Sequence, residues 1–95
     1  MTKNEKLFNF FNENIGSEIH IYNCGFEFDI KIESVEFGNN VILNNMFNFN
    51  VALFDNIDVT SKCFAVSNLD PDMNEIEFLE IEVLEWVDCT DIVMC

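Results

Sequence analysis

From Ser17 onward the chain alternates apolar and polar residues with a period of two, a pattern that excludes an all-helical fold. Ile19 and Ile21, then Phe26, Phe28, Ile30 and Ile32, face one way, while Glu18, His20, Glu27, Asp29, Lys31 and Glu33 face the other. Such alternation marks strands with one buried and one wetted face. Asn23-Cys24-Gly25 between the two runs predicts a hairpin turn. At Ser34 the phase slips, because Val35 and Phe37 take the opposite parity. A bulge there would return both to the core. Gly38-Asn39-Asn40 predicts the next turn. Val41, Leu43, Phe47, Phe49, Val51 and Leu53 then keep one parity, with Asn44, Asn48 and Asn50 on the other face. Asp55-Asn56 marks another turn, and short strands are expected over residues 57–60 and 63–67. Asn68-Leu69-Asp70-Pro71-Asp72 reads as a loop, because proline lacks the N–H that a ladder needs.

The two ends of the chain need separate treatment. Thr2-Lys3-Asn4-Glu5 fits a capping box, and Leu7, Phe8, Phe11 and Ile15 recur at helical spacing before Gly16. A short helix over residues 2–15, covering a sheet, is therefore expected. Near the other end, Glu75, Glu77, Glu80, Glu82 and Glu85 would scatter right around a helix and leave no apolar face. The segment 75–88 reads instead as a bulged or strongly curved strand. Ile76 and Phe78 point in, then Leu79, Ile81 and Val83, with slips at Phe78-Leu79 and Val83-Leu84. The expected fold class is α+β: an N-terminal helix packed on an antiparallel β-meander of five or six strands, as an open sheet or a small barrel. With 95 residues and no linker, repeat or low-complexity tract, residues 1–95 are expected to form a single domain.

A chain of this size buries only about 60–65% of its unfolded surface, so its core needs large apolar groups. Eleven Phe and a 49% apolar composition supply them and argue against disorder. Charge is the unusual feature. Eighteen Asp and Glu face four Lys (Lys3, Lys6, Lys31 and Lys62) and no Arg, for a formal net charge of −14. Fourteen Asn and the many Phe and Ile suggest AT-biased coding, which would enrich Lys as well, so coding bias does not explain the acidity. Direct binding to DNA, RNA or an anionic membrane is opposed by this charge. The first residues carry charge without the apolar stretch of a signal peptide, and no apolar run approaches the roughly 20 residues of a membrane span. A cytoplasmic location follows as the expectation, with Cys24, Cys63, Cys89 and Cys95 as reduced thiols.

Catalytic chemistry finds little support. His20 is the single histidine, and no spacing joins it to a cysteine, an orienting group and an oxyanion donor. Asp70-Pro71-Asp72-Met73-Asn74 opens like a calcium loop. The match then fails, with Glu75 where the turn needs Gly and Ile81 where a bidentate Glu is required. No zinc spacing, phosphate-binding loop or nucleophile elbow is present. A protein with no catalytic residues, no metal and no cofactor is expected.

The acids are unevenly spread. Residues 1–62 hold nine of them and all four Lys, a net −5, whereas residues 63–95 hold the other nine and no base, a net −9. On a strand, residues i and i+2 share a face about 6.6 Å apart. Glu75/Glu77 and Glu80/Glu82 are thus expected as pairs on a solvent face, continued by Glu85 and Asp88, with Glu27, Asp29 and Glu33 in a similar row. That spacing is of the order of phosphates along a nucleic-acid strand. Three classes of function are compatible. The first is an inhibitor that mimics nucleic acid and occludes a basic nuclease, restriction enzyme or CRISPR effector, of the kind phages and mobile elements encode. The second is an immunity protein against a basic toxin. The third is a structural or oligomeric subunit, held by aromatic groups such as Phe54, Phe64 or Trp86, in which acidity serves solubility.

Self-repulsion of this size should be visible in the free protein. The melting temperature is expected to rise as salt is added from low to moderate ionic strength, followed by circular dichroism. A flat response would mean that ions or partners already neutralise the acids.

Overall fold

The computed structural model describes residues 1–23, 25–69, 71–72 and 75–84, the side chains of Glu75 and Ile76 excepted. The capping box forms as expected and starts helix α1 (Lys3–Glu13). The Glu5 N–H donates to the Thr2 hydroxyl at 3.1 Å, and the Thr2 N–H donates to the Glu5 carboxylate at 3.3 Å. Helical geometry stops at Asn14, and Gly16 follows with φ +95°, a conformation that favours glycine. Leu7, Phe10 and Phe11 are buried. Ile15, expected in the apolar stripe, is 49% exposed because it lies past the helix end, and Phe10 takes its place in the core.

Eight strands among the described residues form two open antiparallel sheets, so the α+β expectation is met with more strands than the five or six foreseen. The larger sheet contains β1 (Glu18–Asn23), β2 (Glu27–Lys31), β6 (Asn56–Val59), β7 (Cys63–Leu69) and β8 (Glu75–Leu84) in the order β2-β1-β8-β7-β6. Its β6-β7-β8 half is a meander, and the β1–β2 hairpin is laid against β8 rather than continuing it. The smaller sheet runs β3-β4-β5, from β3 (Val35–Phe37), β4 (Val41–Leu43) and β5 (Phe47–Phe49).

Three local expectations are corrected. The phase slip at Ser34 is not a bulge but the corner at which the chain leaves the larger sheet for the smaller one. Phe37 is consequently 42% exposed rather than core. The run from Val41 to Leu53 is broken by a reversal at Asn44 and Asn45, both at φ 55°, so that Leu43 faces Phe47 across a hairpin, and again by a turn closed from the Phe54 N–H to the Val51 carbonyl at 3.3 Å, which leaves Leu53 86% exposed. In β8 the slips expected at Phe78-Leu79 and Val83-Leu84 do not occur. The one irregularity lies where Asn68 and Leu69 face Glu77 and Glu75, which leaves Ile76 as the extra residue. Beyond it Leu79, Ile81 and Val83 are buried, and Phe78 joins Glu80 and Glu82 on the opposite face.

The core lies between the sheets and α1. Phe10 packs on Phe64 of β7 with ring centroids 6.0 Å apart, Phe11 on Phe49 of β5 at 5.7 Å, and Phe28 of β2 on Phe47 of β5 at 5.2 Å. Among the described residues no helix is long and apolar enough to cross a membrane.

The corner between the sheets is tied by one side chain. The Asn44 amide oxygen accepts from the Glu33 N–H at 2.8 Å and the Ser34 N–H at 3.1 Å, and its nitrogen donates to the Lys31 carbonyl at 2.9 Å. Each such bond contributes on the order of 1 kcal/mol net, and a residue other than Gly or Asn at positive φ adds about 1 kcal/mol of strain. Asn44→Ala is therefore expected to lower unfolding free energy by about 2–4 kcal/mol in urea titration. Asn44→Gly should recover about 1 kcal/mol of that by relieving the backbone alone.

Candidate functional site

Strand alternation sends Ile19, Ile21, Phe64, Val66, Leu79 and Ile81 into the core and leaves the other face of the larger sheet to solvent. Strand order then determines which polar residues meet there. Around β1, Tyr22 lies between Glu27 of β2 and Glu80 of β8, and His20 lies between Asp29 and Glu82. Across β8, Glu80 pairs with Ala65 of β7, which pairs with Asp58 of β6, and Glu82 pairs with Cys63. In these two rows carboxylates therefore occupy β2, β8 and β6, alternate strands of the sheet, with His20, Tyr22, Cys63 and Ala65 on the strands between. Neighbouring strands are about 4.8 Å apart, so acids in one row are roughly 10 Å apart, and acids two residues along a strand about 6.6 Å. Direct cross-strand opposition of like charges, which destabilises a sheet, is avoided in both rows.

The expected acidic residues divide on this frame. Glu27, Asp29, Glu80 and Glu82 come together on one face. Asp58 joins them, although the sequence did not single it out. Glu77 does not, since it takes the parity of Leu79 and Ile81, and it accepts a hydrogen bond from the Asn68 amide at 3.2 Å. Glu33 lies past the end of β2, in a shallow depression with Ile30, Lys31, Asn44 and Met46. The backbone of Glu75 begins β8, and Glu85 and Asp88 lie outside the described residues. Of the aromatic groups considered for an interface, Phe64 is fully buried, Phe54 is half-buried against the core, and Trp86 is also outside the described residues.

His20 is the residue whose setting the alternation pattern did not disclose. Its Nδ1 is 2.5 Å from the Asp29 carboxylate and its Nε2 is 3.0 Å from the Glu27 carboxylate. The hydrogen bond to the Asp29 carboxylate is the main cause holding its pKa above the ordinary value of 6.5, partial removal from water opposes it, and Glu27 adds to the rise. The hairpin itself carried a signal: a turn closed by Asn23 and Phe26 puts His20 opposite Asp29 and Tyr22 opposite Glu27. A depression on this face is lined by His20, Tyr22, Glu27, Glu80 and Glu82, and the ring of Tyr22 lies 5.0 Å from that of Phe78 beside it. Among the described residues no group of three or more His, Cys, Asp and Glu side chains is arranged to hold a metal ion.

Cys63 is a free thiol on the same face. Partial burial pushes its pKa up, and the charges of Glu80, Glu82 and Asp58 push it further. The thiolate is the reactive form, so alkylation of Cys63 by iodoacetamide at pH 8 should be slower in the folded protein than in the urea-unfolded chain. Peptide mass spectrometry would resolve the site. Glu80→Gln and Glu82→Gln should each speed the reaction, and rates unchanged by either substitution would remove the carboxylates from the cause.

Compared with known proteins, the chain matches no family model, no curated protein and no solved structure.

Proposed function

We propose that this is a non-catalytic binding protein whose outer sheet face occludes the basic groove of a protein that handles nucleic acid, such as a nuclease, a restriction enzyme or a CRISPR effector. The observation that carries this reading is the gathering of Glu27, Asp29, Glu80, Glu82 and Asp58 on one solvent-facing sheet surface. Charges arranged in this way add their fields outward, steer a basic surface into encounter and exclude the polyanion that would otherwise sit there. The partner contributes Arg and Lys, and Tyr22 with Phe78 offers aromatic surface beside the carboxylates for the flat guanidinium group. An immunity protein against a basic toxin would use the same face, and only the identity of the captured protein separates the two.

The test is capture from host lysate by the tagged protein, elution in a salt gradient and identification by mass spectrometry. One basic nucleic-acid enzyme, released by salt and competed off by DNA or RNA, is the expected result. Recovery of the chain alone, in an assembly that survives high salt, would favour an oligomeric subunit and reduce the acidity to a solubility device. With the partner in hand, Glu80→Lys and Glu82→Lys should slow association about tenfold or more at low salt, since long-range attraction acts on the association rate. As exposed positions they should change folding stability by no more than about 0.5 kcal/mol. Variants that associate as fast as the wild type would mean that a different face binds.

A further inference from the structure

Both ring nitrogens of His20 face carboxylate oxygens, Nδ1 that of Asp29 and Nε2 that of Glu27. An ionised carboxylate only accepts hydrogen bonds, so both nitrogens must donate, and only the imidazolium has two N–H groups. The neutral ring would serve one carboxylate and turn a lone pair toward the other. Other charges around the ring are of mixed sign but mostly negative. Glu82 of β8 is its direct cross-strand neighbour, and Glu80 lies opposite Tyr22 on the same face. On β1 itself Glu18 is two residues away, opposite Lys31 of β2. Cys63 and Asp58 lie further across the sheet, on β7 and β6.

We propose that His20 is a proton-operated clamp on the acidic face, tying the edge strand β2 to β1 when charged and, on losing its proton, releasing one carboxylate and adding one net negative charge to the surface. As a form of partner control, the proposal rests on the function proposed above. The clamp itself is a property of the free protein. The raised pKa agrees with the geometry, and Asp29 is its main cause. By linkage, a raised folded-state pKa gives a stability contribution that is fully present below about pH 6.5 and is lost as the pH climbs through the higher folded-state value. Attraction for a basic partner changes in the opposite sense, growing as that proton leaves.

A single histidine makes the experiment direct. The ring resonances of His20 are followed by NMR from pH 5 to 9 in the full chain, in Asp29→Asn and in Glu27→Gln. The midpoint is expected above about 6.5, the ordinary histidine value, and should fall toward it in both variants, further in Asp29→Asn. Both substitutions are at exposed positions, and amide spectra establish that each variant is folded. A wild-type midpoint at or below 6.5, or one that Asp29→Asn leaves in place, overturns the clamp.

Octa-arginine is then titrated calorimetrically at pH 6 and pH 8, between which its side chains keep their charge. Binding should tighten about threefold in the wild type, the scale of one exposed charge pair, and stay level in His20→Gln. Equal binding at both pH values in the wild type, with the titration as expected, overturns partner control by this proton. Failure of octa-arginine to bind at either pH counts against the basic-partner reading, and the clamp is then judged on the titration midpoint alone.

Discussion

The fold depends on α1 filling the gap between two sheets that do not share a strand. The smaller sheet has three strands of three residues each, too little to stand alone in water. What holds it is aromatic packing from outside: Phe11 of α1 on Phe49, Phe8 of α1 on Phe37 at 5.6 Å, and Phe28 of the larger sheet on Phe47. On its other side α1 reaches the larger sheet through Phe10 and Phe64. A short helix thus has to bury more than one stripe, and Phe10 and Phe11, adjacent in sequence, serve the two sheets separately. This is also why Phe10 escapes a reading based on one helical face, which accounts for Leu7 and Phe11 but not for a second sheet on the flank.

Asparagine joins the parts that phenylalanine fills. Asn4 is buried on α1, where its oxygen accepts from the Val51 N–H at 2.8 Å and its nitrogen donates to the Asn50 side chain at 3.1 Å. Asn14, also buried, donates to the Phe10 carbonyl at 2.8 Å at the helix end. Asn44 ties the corner between the sheets. A short amide offers a donor and an acceptor on one rigid plane, so a single side chain can satisfy several backbone groups where no ladder runs. Composition alone registers these residues as a bias in coding. Their placement at each junction shows a mechanical use that a count does not carry.

What was legible in the sequence was local. The capping box, the β1–β2 hairpin, the turn at Gly38-Asn39-Asn40 and the strand character of β8 each depend on a few neighbouring residues. The failures came where distant segments decide. Ser34 looked like a bulge because nothing near it announces a second sheet, and Leu53 looked buried because the turn that follows Val51 was not recognised. In β8, the partner strand β7 sets the register and puts the extra residue at Ile76. That shift of position moves Glu77 off the acidic face and brings Phe78 onto it. Asp58 belongs to the face only because β6 is the edge of the larger sheet, which no pattern within residues 56–59 could reveal. His20 is an intermediate case, since the hairpin register alone would have found both of its carboxylates.

The same strand order changes how the acidity should be weighed. A net charge of −14 on 95 residues suggests a severe repulsive cost, which would need a functional reason to be tolerated. Alternate-strand placement reduces that cost. Two carboxylates roughly 10 Å apart repel by about 0.4 kcal/mol in water, about half of what directly opposed groups near 5 Å would feel, and that separation already exceeds the Debye length of about 8 Å at physiological salt. When protonated, His20 removes more by offsetting one of the two negative charges beside it. Repulsion across the strands is therefore modest, and what remains acts along them, between Glu27 and Asp29 and between Glu80 and Glu82 at about 6.6 Å, inside the Debye length and so open to added salt. The outward potential is another matter, because charges that scarcely disturb one another across a sheet still act together on a large basic surface brought against all of them. A layout of this kind limits repulsion between strands while leaving the outward potential of the face intact.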